Sequence, residues 1–363
     1  MLRITPFKLV ILLLFVGMLL PPSATARPPT IKKSVWGPAA INGQSLFPTY
    51  RTLGAGLYST ALRWDQVAQT RPGVATNHED PAYQWPRYLE EAVAGAESNG
   101  MEVQIMILGT PHWANGQQAW QWMPKDPQDF ADFATAASRH FPNVNFWMIW
   151  GEPNRAPNFQ PFTPANSGTG YLNEEQRKAP ENYALLLDYS YQALKNIDQE
   201  NMIIGGNTYT SAGNNDINPY QWIRYLQLPD GSKPRLDYWG HNPFTFRFPE
   251  LNSLMQKPAP RGVVPFSDLR RLVRVLDRYY PQRPKLFLAE WGVPHGFTDS
   301  ALDFSLNAKE ARRWISSAYR IARRWDRIYT LGWIHPVDSE SSSMGLLNSS
   351  GAKKSTFKAF KRS

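Results

Sequence analysis

Two glutamates in this 363-residue sequence sit in matched surroundings. Glu152 ends the stretch Phe146-Trp-Met-Ile-Trp-Gly-Glu, with Pro153 and Asn154 after it, and Glu290 ends Lys285-Leu-Phe-Leu-Ala-Glu, with Trp291 and Gly292 after it. Each closes an apolar run that reads as a buried strand, and each has tryptophan beside it. Where strand ends converge on one pocket, a carboxylate in that position reads as catalytic rather than as a surface cap. Two such groups about 5–5.5 Å apart suit glycoside hydrolysis with retention: one attacks the anomeric carbon and the other protonates the leaving oxygen. The acid then needs a setting that raises its pKa, and the nucleophile one that keeps it ionised.

The rest of the chain supplies elements to carry that pair. Strands are expected near Lys33–Trp36, Gly56–Arg63, Glu102–Leu108, Val144–Trp150, Met202–Asn207, Leu236–Gly240, Lys285–Ala289 and Tyr329–Ile334. Helical stripes fall between them, such as Phe130, Phe133, Ala134, Ala137 and Phe141 behind an Asp126-Pro127 start. Further stripes are Tyr183 to Ile197, Leu269 to Leu276, and Ala311, Ile315, Ala318, Ala322 and Trp325. The 138 positions between Glu152 and Glu290 are about three strand–helix units of an eight-unit chain. The expected fold is therefore α/β, a single (β/α)8 TIM barrel. An open doubly wound sheet would carry a glycine fingerprint after its first strand, and none is present.

Strand ends nominate further pocket residues: Arg63 to hold the nucleophile's charge, His112 and Trp113 at the end of the third strand, and His241 with Asn242 at the end of the sixth. Trp150 and Trp291 are candidates to stack on sugar faces. No cysteine occurs, the six histidines are scattered, and no H-E-x-x-H or G-x-S-x-G motif appears. No metal, no cofactor and no seryl chemistry is expected. The formal charge of +9 comes without a zinc-finger, RRM or basic-zipper pattern, so no nucleic-acid partner is expected; a basic exterior drawn to acidic glycans is. Arg3 and Lys8, the apolar run Leu9–Leu20 and the small-x-small site Ala24-Thr25-Ala26 read as a signal peptide over 1–26. Cleavage would leave Arg27 first and 27–363 as one catalytic domain, secreted or in the cell envelope, with no stable membrane anchor.

With both motifs on the page, the chain resembles the clan A retaining glycoside hydrolases, in local flavour nearest to family 39. The resemblance runs through Leu62-Arg63-Trp64, Gly109-Thr-Pro-His-Trp-Ala-Asn-Gly116, Trp150-Gly-Glu-Pro-Asn154, Ala289-Glu-Trp-Gly292 and Gly345-Leu-Leu-Asn-Ser-Ser-Gly351. It implies a TIM barrel, Glu152 as acid/base on strand 4, Glu290 as nucleophile on strand 7, and an oligo- or polysaccharide substrate. Trp333, at the end of the last strand, resembles the clan's aromatic floor beneath the reactive sugar. The clan has Asn directly before the acid/base, to bind the sugar 2-hydroxyl; this chain has Gly151 there, leaving Asn154 or Asn207 to take over. Family 39 members commonly add a β-domain, whereas this chain ends soon after strand 8. The alternative from another class is a glycan-binding barrel without turnover.

Overall fold

A computed structural model describes residues 32–165, 171–210, 213–251 and 262–363. The proposed signal peptide lies outside the described residues. Eight parallel strands close into one barrel in the order 1-8-7-6-5-4-3-2 around the ring. They are β1 Lys32–Trp36, β2 Leu57–Arg63, β3 Glu102–Leu108, β4 Phe146–Ile149, β5 Met202–Tyr209, β6 Tyr238–Asn242, β7 Lys285–Trp291 and β8 Ile328–Ile334. The fold is the expected (β/α)8 TIM barrel.

Alternation along each strand divides the core into two layers. In β7, Phe287 and Ala289 point inward and join Leu57, Met106, Phe146, Met148 and Ile204 inside the barrel. Leu286, Leu288 and Trp291 of the same strand belong to the larger cluster under the helices. Burial on both faces explains why β7 reads as an unbroken apolar run.

The helices start where cap chemistry puts them. Asp126 accepts from the amide of Gln128 to open Pro127–His140. Asn173 with Gln176, and Asn307 with Glu310, form capping boxes for Glu174–Ile197 and Ala308–Arg324. Trp325 caps the last of these rather than continuing it. The chain leaves β3 at Leu108, and His112–Asn115 forms a separate helical turn, so His112 and Trp113 lie beyond the strand end.

Candidate active site

β4 stops at Ile149, one residue short of the expected end. Trp150 adopts φ 66° and Glu152 φ 46°, both left-handed, so the chain turns sharply on either side of Gly151. Such conformations cost of order 1–3 kcal/mol each and persist only where their surroundings hold them. Here the Trp150 amide still donates to the Ile107 carbonyl at 2.8 Å. The Tyr183 hydroxyl donates to the Ile149 carbonyl at 2.7 Å and accepts from the Gly206 amide at 3.0 Å, tying the end of β4 to β5. The turn lifts the Glu152 carboxylate to the barrel mouth.

At the mouth, the Asn242 side-chain amide donates to Glu152 Oε1 at 2.9 Å and also stabilises the charge of Glu290. The two glutamates thus lean on one residue at the end of β6, from β7 on one side and the β4 end on the other. Arg155 donates to Glu152 Oε2 at 2.9 Å and lies 3.6 Å from Asp216. Its guanidinium stacks on Tyr209 with the ring centre 4.1 Å away. Asn158 reaches the same Glu152 oxygen at 3.5 Å.

Electrostatics separates the two acids. Burial, reinforced by the charge of Glu152, pushes Glu290 up to about 8, against the weaker pull of Asn242 and Arg155. Burial raises Glu152 as well, but Asn242 and Arg155 bond it directly and oppose the shift. Burial and the mutual charge of the two acids therefore leave one proton shared within the pair at neutral pH. Asn242 Oδ1 is buried with no hydrogen-bond partner, which leaves an acceptor beside that proton. Both acids are thus raised, where the expected division raises the acid and keeps the nucleophile ionised.

Most of the flanking residues nominated from sequence do not reach the pair. His241 is fully buried, with Nδ1 2.8 Å from Thr208 Oγ1 and Nε2 2.9 Å from the Val264 carbonyl. Burial depresses it to about 4, so it is a neutral structural histidine. Successive strand side chains point to opposite faces, and it is Asn242 that faces the mouth. Trp333 is turned away by the same alternation, and Trp291 by a register shift between β7 and β8 just before it: both are wholly buried, packed edge to face at 5.6 Å, with Phe360 against Trp333. Trp150 is also wholly buried, its indole N–H donating to the Asn158 carbonyl at 2.8 Å. None of the three has a ring face free for a sugar.

Arg63 grips Asp65 through two bonds of 2.7 and 2.6 Å and stacks on Trp120, so its charge is not spent on Glu290. Trp113 is half-buried, donating to the Ala68 carbonyl at 2.8 Å, while His112 is exposed. Asn154 is fully buried and occupied: Oδ1 accepts from the Tyr209 amide at 2.7 Å and Nδ2 donates to the Ile217 carbonyl at 2.9 Å. It pins the loop after β4 rather than meeting a ligand. Asn207 is buried beneath the mouth, its Nδ2 3.4 Å from the Trp150 carbonyl and its Oδ1 without a partner.

The structure also accounts for Gly151. A Cβ there would stand 2.9 Å from Met106 Sδ, because Met106 of β3 fills the interior layer below. An asparagine would have to displace it. The sequence reading missed Arg155 and Trp36, and it named Asn242 only alongside His241 as the end of the sixth strand. Trp36 closes β1 and is half-buried, touching both the barrel interior and a mouth cluster of Phe244, Leu302, Ile334 and Met344. Its place as the last residue of a strand, like Asn242, was the available signal.

No family model and no curated protein matches this sequence. Solved structures do match its fold. A family 39 glycoside hydrolase from Bacteroides cellulosilyticus WH2 superposes with TM-score 0.62 at 15% identity, covering 91% of this chain and 62% of its own. The fold is that of these glycoside hydrolases. A monomeric beta-xylosidase from Caulobacter crescentus CB15 gives 0.61 at 16% identity, over 92% of this chain and 67% of that one. The GH53 catalytic domain of Ignisphaera aggregans gives 0.59 at 14% identity, over 94% and 98%. The chain spans just under two thirds of the length of the family 39 neighbour.

Proposed function

We propose that the protein is a retaining glycoside hydrolase, with Glu152 as acid/base and Glu290 as nucleophile. The observation that carries this reading is the meeting of two strand-end glutamates on Asn242, in a fold shared with family 39 hydrolases. In the first step the Glu290 carboxylate attacks the anomeric carbon, the glycosidic C–O bond breaks, and Glu152 gives its proton to the departing oxygen. In the second, Glu152 takes a proton from water, the water oxygen attacks the anomeric carbon, and Glu290 leaves as carboxylate. The proton shared by the pair must therefore sit on Glu152 when the glycosidic bond breaks. A sugar that draws Asn242 or Arg155 away from Glu152 would favour that placement, since both oppose the rise that burial causes. The substrate is a glycan, and the leader over 1–26 directs the protein out of the cytoplasm; N-terminal sequencing of exported protein is expected to begin at Arg27.

The rise of Glu290 through burial and the charge of Glu152 favours a second reading, with the roles exchanged. Azide separates the two on an aryl glycoside panel. If Glu152 is the acid/base, Glu152→Ala still forms the glycosyl-enzyme from activated substrates, and azide releases it as a glycosyl azide of retained configuration. Rescue in Glu290→Ala with retained product would establish the exchanged roles, whereas inverted product there would mark Glu290 as the nucleophile that azide replaces. Wild-type protein that binds glycans and turns over none of the panel would leave only the glycan-binding barrel.

A further inference from the structure

A second cleft lies on the outer wall, away from the barrel mouth, between helix Ala308–Arg324 and the short helix Phe357–Arg362. It encloses about 670 Å3 and is lined by Arg312, Arg320, Arg323, Lys358 and Arg362, with Ser316 and Ser355 between them. All five cations are exposed, and among the described residues none forms an ion pair; Arg320 bonds only the Ser317 hydroxyl, at 3.3 Å. Where Ser363, which also lines the cleft, carries the α-carboxylate, four positive charges remain in excess.

The arrangement follows helical spacing. Residues 312, 316, 320 and 323 share one face of the long helix, to one side of the buried stripe of Ala311, Ile315, Ala318 and Ala322. At 1.5 Å per residue the row from Arg312 to Arg323 runs about 16 Å down the wall. Lys358 and Arg362, one turn apart, face it from the short helix. Two rows of like charge across a groove repel, and the field reaches neighbours: with burial, Arg323 depresses Lys33 to about 8. Among the described residues no acidic side chain lines the groove to offset this repulsion, whereas an extended anion laid along it would.

We propose that this cleft binds an anionic polysaccharide chain, its carboxylate or sulfate groups meeting the arginines and its hydroxyls meeting Ser316 and Ser355. No aromatic side chain lines the groove on which a base could stack, which disfavours single-stranded nucleic acid. No apolar side chain larger than Ala359 lines it to enter a membrane. The cleft is separate from the two glutamates, so its occupancy does not depend on turnover.

The test uses the full chain and titration calorimetry at two salt concentrations, with oligogalacturonate and dextran sulfate as carboxylated and sulfated probes and neutral dextran as blank. Duplex DNA and anionic phospholipid vesicles are run alongside. The triple variant R312Q/R320Q/R323Q is expected to weaken binding of at least one anionic glycan tenfold or more and to flatten its salt dependence. The control R270Q/R274Q/R278Q removes the same charge from exposed positions of another barrel helix and is expected to change binding less than threefold. Equal losses in both triples, no binding to either glycan, or tighter cleft-dependent binding of DNA or vesicles would overturn the assignment.

Discussion

At the base of the barrel, Lys32 pairs with Glu102, reaches the Tyr329 hydroxyl at 3.1 Å, and lies over the rings of Phe146 and Tyr329 at 5.4 Å each. At the mouth, Glu152 and Glu290 share one amide, and only Glu152 bonds the nearby guanidinium, which Asp216 also claims. The base matches one cation to one carboxylate in a half-exposed setting, while the mouth gathers three carboxyls around one arginine in a buried one. Charge balance at the mouth is reached by holding a proton. Positive φ is commoner toward the mouth, at Trp150, Glu152, His335 and Asn207 near the end of β5, than at the base, where Arg283 before β7 has it. The base is built for stability and the mouth stores strain and acidity, the division expected between the two faces of such a barrel.

The sharpest way to break that comparison is to remove one glutamate from each end. Glu290→Ala is expected to lower kcat on aryl glycosides by about 10⁴-fold or more, as loss of a covalent nucleophile does. Glu102→Ala at the base should leave kcat within about twofold. Comparable losses in both would mean that the two ends are not functionally distinct.

Arg155→Gln tests the balance at the mouth. Its charge lowers both Glu152 and Glu290, so its removal raises both. A carboxyl that must be ionised to react then loses its proton only at higher pH, and the acidic limb of kcat/KM should move upward. Arg155→Lys, which keeps the charge, should restore the limb. An unmoved limb would show that Arg155 does not govern the pair's protonation.

Gly151→Ala probes the strained turn. The added Cβ would meet Met106 Sδ at 2.9 Å in a filled interior layer. Methionine bends where a branched side chain would not, so a cost of about 1 kcal/mol is expected, at the low end for overpacking. Urea denaturation measures it, and adding Met106→Ala should make the two changes non-additive.

The barrel was legible because strands covered on both faces are written as unbroken apolar runs, and the carboxylates because each ends such a run. The neighbours were not legible for the same reason. Beside a strand-end carboxylate the next residue points to the other face, which is why Trp291 packs under the helices while Glu290 faces the mouth. A one-residue difference likewise separates buried His241 from Asn242. Arg63 was taken by an acid two residues on, Asp65, a local pairing visible in the sequence as Arg-Trp-Asp. Arg155, three residues from Glu152, was equally local. Asn242 was not, because its partner lies 90 positions away and is set by barrel closure.

The smallest effect should come from the base. Lys32→Met keeps an unbranched apolar stem against Phe146 and Tyr329 and removes only the charge. What is lost is an ion pair whose side chains are 31% and 51% exposed, together with the attraction of the ammonium to two rings. Exposed pairs contribute at most about 1 kcal/mol, and a cation over an exposed ring about 0.5–1. The methionine sulfur recovers part of the ring contact. The expected net loss is below about 1 kcal/mol, read as a shift in the urea midpoint at unchanged slope, with kcat untouched. A loss of several kcal/mol, or any fall in kcat, would show that the base is coupled to the mouth through the interior layer. Phe146 would be the residue to suspect, since it carries the Lys32 contact at one end of β4 and lies four positions before the turn at Trp150.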